Sequence, residues 1–355
     1  MRGKSLKIFA AVLICLLAAG TCAMLLRRGR LQEYMSGSNS QKDYGEIQEI
    51  PGADQMQEPS LNQYPSLSVP TCIRKIGNDY FIADCYNNQI IYSRDLHAPL
   101  YEWKILTSDA VQPHTVASDG ELILVDDTEQ NRVLVFRKAD HDQDGETTGG
   151  YVCTQIFSQI GTRPHFTVYD ENSRSFYVLS SMTGDLYVFK RDKDLIYLDR
   201  KMMIDRLKNT YVRSFTIEGD RIWFPSGISL AGEEPVVLCC RLEDLRILEE
   251  YPVCEQYAGM IQIQPVGQEY YITVSTDLFG SQDKATMIRT KDLSELAEGT
   301  CEDIYADYFA GGGTPYYMGS IDDRWYLTEH RLPDHSLWQF RIAEGQITDV
   351  QSLLP

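Results

Sequence analysis

QPHTVASDGELILVDDTEQNRVLVF, residues 112–136, holds the pattern that decides the fold. After Pro113 an apolar alternation runs to Asp119-Gly120, a second covers Leu122 to Val125 and ends on Asp126, and a third follows a polar turn at Arg132 to Phe136. Two strands joined at Asp-Gly, with a third after a short polar turn, make a β-meander. Related stretches occupy residues 69–93, 163–190, 213–244, 260–292 and 314–342, a spacing of about 43–55 residues. Each is followed by one more alternating segment, such as residues 101–105, 195–203 or 247–253. Four antiparallel strands repeated six times, with almost no helical periodicity, predict an all-β, six-bladed β-propeller over residues 65–355. Such a ring leaves an axial channel wide enough for an ion or a small ligand.

Outside the repeats the chain changes character. Residues 8–26 are nineteen in a row without a charge, flanked by Lys7 and by Arg27, Arg28 and Arg30. That length fits a transmembrane helix, and the short basic leader favours an uncleaved signal anchor over residues 1–30. The propeller is then expected on the extracytoplasmic side of the cell membrane. The alternative is a secreted protein cleaved near Thr21-Cys22-Ala23, which resembles a small-residue processing site. Residues 31–64 are polar and read as a linker or stalk, although Tyr44 to Ile50 alternates weakly and is able to lend one strand to the domain. All 51 acidic residues follow Arg30, and the whole chain carries −18. A surface this acidic repels phosphate backbones and excludes nucleic acid as a partner. The seven cysteines beyond the apolar segment show no CxxC spacing, so no disulfide framework can be read from them.

The first two repeats resemble the NHL-type propeller motif. Its elements are an opening Pro, a Gly turn, a Val/Ala-Asp pair, an Asn and a closing apolar phrase. They appear as Pro70, Gly77, Ala83-Asp84, Asn87-Asn88 and Ile90 to Tyr92, then as Pro113, Gly120, Val125-Asp126, Asn131-Arg132 and Val133 to Phe136. The third repeat keeps Pro164 but has Ser180 where the Asp would stand, and repeats four to six keep only the apolar pattern. The resemblance implies the fold and leaves the function open.

Alignment on the turn after each opening residue places Thr71, His114, His165, Ser214, Ile261 and Tyr316 around one mouth of the channel. The Pro-His pairs look like those of the six-bladed peptidyl-hydroxyglycine lyases, which hold zinc at the axis with histidines from alternating blades. Here only His114 and His165 match, and they fall on neighbouring repeats. Two imidazoles make a candidate metal site that lacks a third protein ligand. Arg163, Arg213, Arg331, Tyr316 and Tyr317 are expected near the same mouth. So are the longer turns of repeats four to six, at residues 226–234, 276–283 and 330–334. Variable loops on a rigid scaffold are where recognition usually resides. Asp140, Asp142, Asp144 and Gly145 reproduce the first half of a calcium loop, but Thr148 and Tyr151 fill positions 9 and 12. Calcium or zinc are therefore the candidate cofactors. Carboxylate pairs such as Asp126-Asp127 lack the context of a glycosidase, and there is no GxSxG elbow.

The expectation is a membrane-anchored NHL-like propeller acting as a binding module for a protein, peptide or glycan. Its candidate ligand-binding residues are His114, His165, Arg163, Arg213 and Tyr316. The alternative is a metal-dependent lyase or hydrolase at the axis.

Overall fold

A computed structural model describes residues 42–49, 58–139, 150–332 and 335–354. The apolar segment at residues 8–26 and the aspartates Asp140, Asp142 and Asp144 lie outside the described residues. Among the described residues no helix is long and apolar enough to cross a membrane.

Six antiparallel sheets follow one another along the chain. A short strand β1 (Glu46–Ile47) precedes blade 1, which is β2 (Pro70–Ile76), β3 (Asp79–Asp84), β4 (Gln89–Ser93) and β5 (Lys104–Thr107). Blade 2 is β6 (Val116–Ser118), β7 (Leu122–Asp127), β8 (Arg132–Lys138) and β9 (Tyr151–Ser158). Blade 3 is β10 (Pro164–Asp170), β11 (Ser175–Ser180), β12 (Asp185–Asp192) and β13 (Leu195–Met203). A two-stranded ribbon of β14 (Thr210–Tyr211) and β17 (Ile228–Ser229) accompanies blade 4, formed by β15 (Thr216–Glu218), β16 (Arg221–Pro225), β18 (Val236–Arg241) and β19 (Ile247–Pro252). Blade 5 is β20 (Gly259–Val266), β21 (Glu269–Thr276), β22 (Asp283–Thr290) and β23 (Glu302–Asp303). Blade 6 is β24 (Thr314–Ile321), β25 (Arg324–His330), β26 (Leu337–Ala343) and β27 (Gln346–Leu353). The expected six blades of four strands are present. A β-bulge between third and fourth strands recurs in blades 1, 2, 3, 4 and 6, which sharpens the local twist at each outer edge.

Both faces of each blade are apolar because each is covered by a neighbour. Leu124, Val133, Phe176 and Phe189 fill the space between blades 2 and 3. Trp223, Val237, Ile263 and Ile272 do the same between blades 4 and 5. Blades 1 and 6 are each made of four consecutive strands, so among the described residues no strand is exchanged between them. That junction closes on Ile73, Ile82, Trp103, Tyr326, Leu337 and Leu353, with an ion pair from Lys75 to Asp322 at 2.6 Å.

A second closure runs around the axis. Thr71 Oγ1 donates to the carbonyl of His114 at 2.7 Å, and Thr128 Oγ1 to that of Pro164 at 2.7 Å. His165 Nδ1 donates to Arg213 O at 3.0 Å and Ser214 Oγ to Ile261 O at 2.6 Å. Thr273 Oγ1 donates to Tyr316 O at 2.8 Å, and His330 Nε2 to Pro70 O at 3.1 Å. Each bond joins a side chain of one blade to the innermost strand, or its entry, in the next, and together they complete the circle. With a carbonyl as partner, each histidine nitrogen must carry the proton. A buried bond of this kind contributes about 1 kcal/mol net, and leaving its partner unpaired costs more.

The segment before the repeats is not all linker. Asp43 bridges to Leu198 on blade 3, β1 pairs with Gln155 and Ile156 of blade 2, and Leu61 bridges to Lys104 of blade 1. The weak alternation at Tyr44 to Ile50 thus does supply a strand. Gln155, fully buried, fixes this strap by donating to the carbonyls of Tyr44 at 2.7 Å and Ile196 at 2.8 Å. Covering outer edges in this way removes them as templates for stray strand pairing.

Candidate functional site at the axis mouth

The motif residues of the first repeats position the mouth. Asp84 Oδ1 accepts the amide of Ser68 at 2.6 Å. Asp126 accepts the amides of His114 at 2.6 Å and Thr115 at 2.9 Å, and the Thr115 hydroxyl as well. Asp127 Oδ1 accepts the amide of Val111 at 2.9 Å, and in blade 3 Ser180 Oγ accepts that of Thr162 at 2.8 Å, so the shorter side chain takes over the task of Asp84 and Asp127. The motif asparagines reach forward to the next blade: Asn88 Oδ1 accepts Gln112 N at 2.9 Å and Asn131 Oδ1 accepts Arg163 N at 2.7 Å. These bonds hold the residue before each opening proline in the left-handed region, at φ 56° for Val69, 51° for Gln112 and 58° for Arg163. That conformation costs energy in any residue with a Cβ, most of all a β-branched one. All three strained residues line the same cavity.

That cavity has a volume of about 340 Å³ and is walled by His114, Arg163, His165, Arg213, Tyr316 and Arg331, with Tyr211, His330, Ser275 and Thr314 among its other polar residues. The five candidate ligand-binding residues are thus brought together. No carboxylate is in its wall, on a chain with 51 of them. Two other expected ring members, Thr71 and Ser214, are instead consumed by the inter-blade bonds. Tyr317 departs from expectation: it turns into the axial core, against Phe166 at 5.3 Å between ring centres and beneath Arg74. The bulge between Pro315 and Met318 in β24 puts it there.

The floor is a stack of rings. His114 and His165 lie 3.7 Å apart between centroids, inclined by 30°, and Tyr316 stacks on His330 at 4.4 Å. His114 Nδ1 donates to Gln112 O at 2.9 Å, while its Nε2 lies 3.7 Å from Cys85 Sγ. Tyr316 OH donates to His165 Nε2 at 3.3 Å. Burial lowers the His114 pKa to about 3, with Arg163 adding to the effect. His165 is pushed well below its ordinary value by burial and by His114, and His330 to about 3 by burial with Arg213 and Arg331. All three imidazoles are neutral at pH 7. Burial also raises the Cys85 thiol, so Cys85 and His114 do not form the thiolate–imidazolium pair of a cysteine nucleophile.

As metal ligands the histidines are poorly disposed. Two rings packed face to face cannot both aim a nitrogen at one ion, and each of the three spends a nitrogen on a carbonyl. Among the described residues no group of three His, Cys, Asp or Glu side chains is arranged to hold a metal.

The cations sit at the rim. Arg163 pairs with Glu129, and Arg331 with Asp283. Arg213 Nη1 donates to Ser275 Oγ at 3.0 Å. The guanidinium carbons of Arg163 and Arg213 lie 5.8 and 5.2 Å from the centre of the Tyr211 ring, so one tyrosine carries two cations. Tyr211 is held by the β14–β17 ribbon, where Gly227 passes so close that an added Cβ would lie 1.9 Å from the Tyr211 carbonyl. The long turns of blades 4 and 5 meet here: Ser229 N donates to Leu278 O at 2.7 Å. Their tips leave Leu230 and Phe279 exposed beside the mouth, with Tyr86 from blade 1 exposed as well. Sequence reasoning missed Tyr211 and His330 because neither follows an opening proline. The visible signal was a third histidine at the end of a strand.

No protein-family model matches the sequence, and no curated protein matches it either. Solved structures do match in shape. A putative 6-phosphogluconolactonase from Bacteroides fragilis aligns with a TM-score of 0.53 at 12% identity, covering 79% of this chain and 83% of that one. A putative 6-phosphogluconolactonase from Bacteroides uniformis gives 0.52 at 13%, covering 82% and 88%. A streptogramin B lyase gives 0.51 at 12%, covering 83% and 86%. Identities this low establish shape alone. The chain is a six-bladed β-propeller, consistent with the distant NHL-like pattern of its first blades.

Proposed function

We propose that the protein is a binding module. In this reading residues 8–26 anchor it in the cell membrane, and the extracytoplasmic propeller presents its axis mouth to a protein, peptide or glycan. The observation that carries the reading is the convergence of Arg163, Arg213, His114, His165 and Tyr316 on one cavity without a carboxylate, with Tyr86 exposed in its wall and Leu230 and Phe279 exposed on the long turns of blades 4 and 5. Convergent polar groups in a concavity, with apolar surface beside it, are the usual marks of a recognition site.

The test is capture of partners by the full-length protein, compared with a variant in which Leu230 to Glu233 is replaced by Gly-Ser residues. Partners lost with the rim, in a variant that still unfolds cooperatively, support the reading. An identical set of partners counts against it. The anchor is checked by adding protease to intact cells: a propeller left uncut while an external control is destroyed would refute the topology. The alternative, a metal-dependent lyase or hydrolase using His114 and His165, requires both rings to leave their stack. One zinc per chain, lost in His114→Ala, would revive it.

A further inference from the structure

The binding reading can be sharpened to a ligand chemistry, because the charges around the mouth do not balance. Of the three arginines in the wall, Arg163 and Arg331 each face a carboxylate, whereas Arg213 has none among the described residues. Its guanidinium meets the Ser275 hydroxyl and the Tyr211 ring. Deeper along the innermost strand of blade 1, Arg74 lies 5.0 Å over Tyr317, again with no ion pair among the described residues. The neutral imidazoles of the floor supply neither counter-charge nor repulsion. An independent observation points the same way: Thr314 is 3% exposed, lines the cavity and leaves its Oγ1 without a hydrogen-bond partner. A buried hydroxyl left unpaired is costly, and rotation of the Thr314 side chain toward the cavity would let a ligand oxygen satisfy it.

We infer that the axis mouth receives a carboxylate borne on a single ring-sized group, with Arg213 as its clamp, Arg163 beside it and Thr314 bonding a second ligand oxygen. The inference rests on the binding reading above. One uncompensated arginine matches a monoanion, whereas a phosphate ester brings about −1.5 to −2. The planar fork of a guanidinium pairs with a carboxylate through two parallel bonds. A cavity of about 340 Å³ lies at the small end of ligand sites, which suits a single sugar or aromatic ring. Peptide acids and uronic-acid sugars both carry this chemistry.

Calorimetric titration of the full-length protein decides the matter, with N-acetyltyrosine against N-acetyltyrosine amide and glucuronate against glucose. The expected result is that at least one acid binds about ten- to a hundredfold more tightly than its neutral counterpart, and which acid does so identifies the source. Arg213→Gln should lose about the same factor, because the Arg213 carbonyl that accepts from His165 is untouched. Thr314→Val should lose a smaller factor. Should Arg213→Gln fail to fold, salt serves instead: raising it from about 0.05 to 0.5 M must weaken the acid and leave the neutral compound unaffected. Equal binding of acid and neutral compound, indifference to Arg213→Gln or to salt, tighter binding of inorganic phosphate, or no binding of either acid at millimolar concentration each overturns the assignment. A partner that needs the rim but ignores Arg213→Gln overturns it too, while leaving the binding reading in place.

Discussion

Blades 1–3 and blades 4–6 build the same sheet by different means. The first three enter through a left-handed residue and a proline, fixed by Asp84, Asp126, Ser180, Asn88 and Asn131, and their turns are short. The last three lack those caps and carry the long turns, tied instead by contacts such as Ser229 to Leu278. The cavity draws the His114–His165 pair, Arg163 and Tyr86 from blades 1–3, and Arg213, Tyr316, His330 and Arg331 from the other half. One half supplies a rigid entry geometry and the other supplies variation. The fold needs only the shared sheet, and recognition needs both halves.

This contrast can be broken most severely at Asp126. Asp126→Ala should cost about 3–5 kcal/mol by urea unfolding, because two buried amides and a hydroxyl lose their acceptor together. Ser180→Ala in the next blade, with one amide at stake, should cost about 1 kcal/mol. Equal losses would mean that the caps do not set the blade entries. Next is the junction between the halves, where among the described residues no strand is exchanged. His330→Phe removes the donor to Pro70 and should cost about 2 kcal/mol at pH 7.5.

The same variant sharpens the electrostatic side. His330 faces Arg213, Arg331, Tyr316 and the Pro70 carbonyl, and its pKa is about 3 in the folded protein against about 6.5 in the unfolded chain. Between those values the unfolded chain holds the proton and the folded one does not. The stability that His330 contributes is therefore full above about 6.5 and is lost as pH falls toward 3. At pH 5 the wild type has given up about 2 kcal/mol through this group and the variant nothing, so the cost of His330→Phe should nearly vanish. Asp126 and Glu329, whose pKa values burial raises to about 7, act with opposite sign in the same range but are common to both proteins. A cost independent of pH would show that the imidazole is not held neutral. The smallest effect belongs to the rim: replacing Leu230 to Glu233 should change stability by less than about 1 kcal/mol in calorimetric melting.

The fold was legible because strand alternation and Pro, Gly, Asp and Asn have fixed backbone consequences. The motif aspartates and asparagines prove to be amide caps, so a pattern read as a resemblance is in fact a set of hydrogen bonds. The mouth was legible in blades 2 and 3, where His114 and His165 follow their prolines. Tyr211 was not, since a two-residue ribbon has no periodicity to read. The role of His165 as an inter-blade donor was equally hidden: a histidine at the axis looks the same in sequence whether it faces a ligand or a neighbouring carbonyl.

The strap along the outer edges bears on how the chain is made. Tyr44 bonds to Gln155 and Asp192, 111 and 148 residues further on. During synthesis the strap emerges first but has nothing to dock on until blades 2 and 3 have formed. Residues made early are placed late, a delay that long-range contacts impose on folding in general. In that interval the outer strands of nascent blades are open to pairing with another chain, and docking of the strap ends the exposure.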